Sequence, residues 1–151
     1  MPPFYTWDVD LRIARNILIG PGAYYLAQWV AFPLAIGFGK FTSGIIYRGD
    51  FAGYVVMPLV GRLPLALVAA VVGAAVILLV ESDRPVAWTM IPALIYALVG
   101  FYGHHWMRPP VFLDRVSETI SALFPALTCV LGGIIAARWR AAQHGAQITP
   151  D

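Results

Sequence analysis

Four long stretches without a single charged residue, 16–39, 63–80, 85–107 and 119–137, divide this chain between them. The hydrocarbon core of a bilayer is about 30 Å thick and a helix rises about 1.5 Å per residue, so roughly 20 apolar residues cross it. Each stretch has about that length, and charged residues bound each one. The pattern predicts an all-α, polytopic membrane protein built as a bundle of four transmembrane helices. A continuous apolar helix of this length would have too little polar surface for water.

Composition points the same way. Sixty per cent of residues are hydrophobic and 12% are charged, about half the charged share of a soluble domain. Four helices use most of the 151 residues, which leaves one integral membrane domain over 1–151 and no room for a second. A net charge of +2 without any basic run gives no ground for a nucleic-acid partner. The one cysteine, Cys129, lies inside the fourth stretch, which excludes an intrachain disulfide and a self-sufficient thiolate metal site. The first stretch is too long for a signal-peptide core, and we expect it to remain as a helix.

The connections are short or polar. Residues 1–15 mix Phe4, Tyr5 and Trp7 with Asp8, Asp10, Arg12 and Arg15, a combination suited to the headgroup layer. Residues 40–62 form the longest connection. Its second part, 51–61, is apolar but too short to cross. Three placements fit it: an interfacial segment, a re-entrant segment, or an outward extension of the second helix past Arg62. The turn at 81–85 predicts an antiparallel hairpin of the second and third helices. Pro109 and Pro110 end the third helix, and a polar, frayed tail is expected over 138–151.

An even number of spans puts both termini on the side of the 81–85 turn. That side carries Arg12, Arg15, Arg84, Arg138 and Arg140; the other carries Lys40, Arg48, Arg62, Arg108 and Arg115. The positive-inside count is tied. Arg138 and Arg140 abut a span directly, which tilts the orientation toward cytoplasmic termini. Arginine outnumbers lysine nine to one, a coding bias that suggests a GC-rich bacterium and its inner (plasma) membrane.

Small residues recur at helical spacing. Ala23, Ala27, Ala31 and Ala35 form one stripe, Ala66, Ala70 and Ala74 a second, and Thr128, Gly132 and Ala136 a third beside Cys129, Gly133 and Ala137. Lipid tails are as apolar as leucine, so membrane helices associate through the close contact that small residues permit. These stripes predict helix packing within the chain or against a helical partner. Pro33, Pro64, Pro92 and Pro125 stand in or at the mouth of the spans, and kinked packing accounts for them better than a transport pathway does.

Few polar groups could carry chemistry. Tyr24 and Gln28, one turn apart in the first stretch, are candidates for a polar pocket, with an interhelical packing bond from Gln28 as the plainer role. Arg62 is a third candidate; an arginine at the headgroups accounts for it better than one at mid-bilayer. His104 and His105 invite a haem, quinone or pigment site. They point about 100° apart on a helix and the only other histidine, His144, is expected at the opposite face, so a ligand there would have to be shared with a partner chain. No nucleophile motif, phosphate loop or zinc signature occurs, and no cofactor or metal is required by the sequence.

Three functions fit this chain. The first is a non-catalytic accessory or structural subunit of a larger energy-transducing or transport complex. Its partners would be lipids, other transmembrane subunits, or copies of itself. The second is a self-assembling channel or small transporter. The third is a membrane enzyme acting on a lipid or quinone, so enzyme status stays open on the residues alone, with the balance against.

Overall fold

Charges bound the apolar stretches, but they do not end the helices. The structure, a computed structural model, describes residues 4–42, 55–105 and 112–146. Among these, 94% are helical and none forms a strand. The helices are α1 (Phe4–Thr42), α2 (Met57–Leu79), α3 (Pro85–Trp88), α4 (Met90–His105) and α5 (Phe112–Ala146). Four segments are long and apolar enough to cross a membrane: Leu11–Phe38, Met57–Leu79, Pro85–Tyr102 and Arg115–Gln143. Three of them begin or end beyond the uncharged stretches, because arginine is nearly as good a helix former as leucine.

The structure chooses among the three placements of the apolar part of the long connection. Residues Met57–Gly61 extend the second helix outward past Arg62 as the opening turn of α2, preceded by a π-type turn at Val55 and Val56, and are not a separate interfacial or re-entrant segment. Arg62 therefore sits within a continuous helix. Residues 51–54 lie outside the described part of the chain. The tail is also more ordered than its polarity suggested, since α5 runs through Arg138 to Ala146. Hydropathy falls at Arg138, but Arg-Trp-Arg-Ala-Ala-Gln keeps good helix formers in place. Residues 147–151 lie outside the described part.

The third span is one path made of two helices. Pro92 brings no N–H to the carbonyl of Trp88 four residues earlier, and its ring crowds that carbonyl. The chain therefore parts into α3 and α4 at Thr89, whose hydroxyl donates to the Val86 carbonyl at 2.7 Å. Ala93 N–H then donates to the Thr89 carbonyl at 3.2 Å and restarts the ladder.

Around the bundle the order is α1, α2, α5, α4. The α2–α5 contact is the most extensive, α4–α5 and α1–α2 follow, and α1 touches α4 lightly. Although the connection between α2 and α3 is tight, α2 and α4 barely meet. The expected hairpin is thus opened, and its two arms lie across a diagonal with α5 between them. Packing explains the wedge. A Cβ on Gly73 would overlap the Cys129 carbonyl and stand 3.0 Å from the Gly133 nitrogen. A Cβ on Gly132 would overlap the Ala70 carbonyl, 2.8 Å from the Ala70 Cα. Backbone lies on backbone there, in the close dispersion contact that small residues permit. On the other flank of α5, a Cβ on Gly133 would stand 2.5 Å from the Thr89 methyl, so α2, α5 and the α3–α4 break converge at one point. The buried core around it holds Ala69, Val72, Ala93, Tyr96, Ala126 and Cys129.

Candidate functional site

Among the described residues, three groups of polar side chains bear on a site: a clamp at one end, a pair of tyrosines in the core, and an outward face on α1. The clamp joins three helices. Arg15 of α1 pairs with Glu81 at 3.0 Å, and next to it Asn16 donates from Nδ2 to the Glu81 backbone carbonyl at 3.3 Å. From α5, Arg140 donates from Nη1 to the Ile77 carbonyl at 3.1 Å. Carbonyls in the last turn of a helix lack intrahelical donors and carry the negative end of its dipole, so a guanidinium there both caps and neutralises α2. The hydrogen bond and charge of Arg15 hold the Glu81 carboxyl below the usual carboxylate range. Asn16 is 4% exposed, and its Oδ1 has no partner among the described residues. The start of the first span, the 81–84 turn and the end of the last span therefore share one end of the bundle.

In the core, Tyr24 meets Tyr96 edge-on with ring centroids 4.7 Å apart, the arrangement ring quadrupoles favour. Tyr96 is 3% exposed, packs in the cluster that holds Cys129, and its hydroxyl finds no partner among the described residues.

The outward face of α1 differs from both. Tyr25, Gln28, Trp29, Phe32 and Pro33 line a shallow hollow of about 510 Å³. Gln28 is half-buried at its edge and makes no interhelical hydrogen bond among the described residues. On the α2 side of α1 runs a second groove, about 600 Å³, walled by Gly22, Leu26 and Val30 against Leu67, Val71 and Ala75. Its lining is almost wholly carbon.

The candidates named from the sequence are thus dispersed. Tyr24 turns inward to Tyr96, whereas Gln28, about 40° further round the helix, faces out; the two do not form one pocket. Arg62 is half-buried and engaged with other groups. It stands 18 residues before Val80, about 27 Å along α2, toward the end of the helix away from the clamp. Ala23 and Ala27 pack on the core cluster and Ala31 is buried, while Ala35 is exposed. Ala66 is buried and Ala70 and Ala74 are half-buried, with Ala70 under Gly132; Gly133 lies beside Gly73 and Thr89. His104 and His105 belong to the last turn of α4, with side chains outside the described part of the structure. Among the described residues no three His, Cys, Asp or Glu side chains gather as a metal site would.

Two residues escaped the reading of the sequence. Asn16 is the only asparagine in the chain and shares a helical face with Gly20, Ala23 and Ala27, a periodicity that would have marked it as buried. Tyr96 had no such signal, because only the fold brings it to Tyr24. Compared with protein-family models, curated proteins and solved structures, the chain finds no match. Function must therefore be argued from the site alone.

Proposed function

We propose that this chain is an integral membrane subunit that does no chemistry of its own and serves as a contact element in a larger energy-transducing or transport complex. The use made of α1 carries this reading. Only 11% of its most apolar stretch is buried within the chain, against 39% for α2 and for α5. The helix is fastened at one end by the Arg15–Glu81 and Asn16 clamp. Beyond the clamp, Ala23, Tyr24, Ala27 and Ala31 turn inward, and the rest of its surface faces outward with a groove on one flank and an aromatic hollow on the other. The side-chain bonds that join helices are those of the clamp, while Thr89, Thr119 and Thr128 bond within their own helical path, so the abundant resource is contact area.

The setting that fits this reading is the inner membrane of a bacterium, with both ends of the bundle's clamped side in the cytoplasm. Arg138 and Arg140 beside the last span support that direction. His104 and His105 are the residues we would place against a haem, quinone or pigment held jointly with a partner. Purifying the tagged chain from its native membrane in mild detergent, with identification of bound polypeptides and pigments, tests the proposal. Foreign transmembrane chains are expected. Transport or turnover by the purified chain alone in liposomes would overturn it.

A further inference from the structure

The geometry points to the Gln28 face of α1 as a self-association seam, on which a second copy of this chain docks through its own Gln28. Gln28 lies within the span Leu11–Phe38, whose midpoint falls between Tyr24 and Tyr25. It is therefore about 5 Å from the centre of the span along the axis. No group of its own chain receives its amide among the described residues. A second polar group stands beside it. Pro33, inside α1, brings no N–H, so the carbonyl of Trp29 lacks the donor that the residue four positions on would supply. Trp29, Pro33 and Gln28 line the same hollow. One outward patch thus carries a carbonyl without its usual helical donor and an amide without a partner among the described residues, in a medium that can satisfy neither.

The identity of the occupant follows from depth and from the chemistry of the amide. Copies inserted in one orientation are related by an axis normal to the membrane, so any residue lies at the same depth in each copy. A foreign helix would need a polar group placed at that level, whereas a second copy brings one automatically. A carboxamide both donates and accepts. Across a two-fold axis the same patch faces itself, so each Gln28 can donate to the Oε1 of the other or to the Trp29 carbonyl freed by Pro33. The flanking rings are free to take part: Trp29 is 71% exposed and Phe32 69% exposed. Trp29 also lies too near mid-span for the interfacial belt that tryptophans usually form. The inference rests on membrane insertion of α1 and is independent of whether foreign chains bind other faces.

Two measurements on the purified full chain in liposomes test it. In the first, Phe32→Cys, which keeps Gln28 and lies in the same hollow, is oxidised and compared with Leu67→Cys on the outward face of α2 and with the wild type, whose Cys129 is buried. A covalent homodimer from Phe32→Cys only is expected. In the second, the dimer fraction is measured by stepwise photobleaching over a dilution series in lipid. Gln28→Leu should weaken dimerisation roughly three- to twentyfold, the range of one interhelical hydrogen bond, and Gln28→Asn should keep part of it. Equal crosslinking at positions 32 and 67, a monomeric wild type, or undiminished pairing by Gln28→Leu would each overturn the seam. None of those results would bear on foreign chains found in native membranes.

Discussion

Gly73 of α2 faces Cys129 of α5 across a gap with no room for a methyl group. A Cβ built on Gly73 runs into the Cys129 carbonyl, and one on Gly132 runs into the Ala70 carbonyl. These two glycines let parallel helices α2 and α5 touch backbone to backbone, and this contact forces the α2–α4 hairpin apart. Gly73→Ala or Gly132→Ala should therefore lower stability by about 1–3 kcal/mol or more through overpacking. Gly22→Ala, where an added Cβ meets nothing within 4 Å, should be neutral or mildly stabilising. Unfolding by a denaturing detergent, titrated from a mild one, gives the comparison; equal behaviour of all three would mean that the α2–α5 contact is loose.

The exposed ion pair of the clamp predicts a small acid sensitivity. The carboxyl of Glu81 sits below its ordinary value near 4.5 because Arg15 bonds and neutralises it. A depressed carboxylate contributes its stability above the unfolded value and loses it as pH falls through the lower folded value. The pair is therefore intact above about pH 4.5 and fails progressively below that. Glu81 is solvent-exposed, so salt should weaken the pair at neutral pH. Glu81→Gln should leave neutral stability nearly unchanged and remove the salt sensitivity that the wild type shows there.

Capping of α2 from α5 is the stronger part of the clamp. Replacing Arg140 by leucine deletes the donor to the Ile77 carbonyl and should destabilise the fold by about 1 kcal/mol, with Arg140→Lys between that and the wild type. Thermal unfolding in one detergent at fixed salt would resolve the order. A leucine variant as stable as the wild type would show that water serves that carbonyl equally well.

Tyr96 separates ring from hydroxyl. Its hydroxyl is buried with no partner among the described residues, and a buried unpaired group is a liability. Tyr96→Phe should leave stability unchanged or raise it by up to about 1 kcal/mol. Tyr96→Leu should lower it, because the edge contact with Tyr24 is worth about 0.5–1.5 kcal/mol beyond burial. A phenylalanine variant less stable than the wild type would mean that the hydroxyl bonds something this chain does not supply.

Sidedness is checked with thiols placed at the chain ends. Cysteines at positions 3 and 147 should react with an impermeant reagent from the same side of sealed vesicles. The motive is that Arg15, Glu81 and Arg140 gather at one end of the bundle. Opposite sidedness would break the four-span topology.

Hydropathy by itself determined that this chain makes four helices long and apolar enough to cross a membrane, because each apolar run is about as long as a hydrocarbon core is thick and a backbone placed there satisfies itself as helix. It located helix ends poorly. Cutting at Arg62 and Arg138 measured polarity, whereas helices continue through arginine as long as the local residues favour them. Only the tertiary structure decided which helices touch. Alanine and glycine stripes occur on α1, α2 and α5 alike, and sequence spacing cannot say which stripe meets which. The close approach of Gly73 and Gly132 to α5 decides it, by excluding every neighbour with a larger side chain at that level. The same holds for the polar residues. Tyr24 and Gln28 look equivalent one turn apart, yet a rotation of about 40° turns one toward Tyr96 in the core and leaves the other at the edge of an outward hollow.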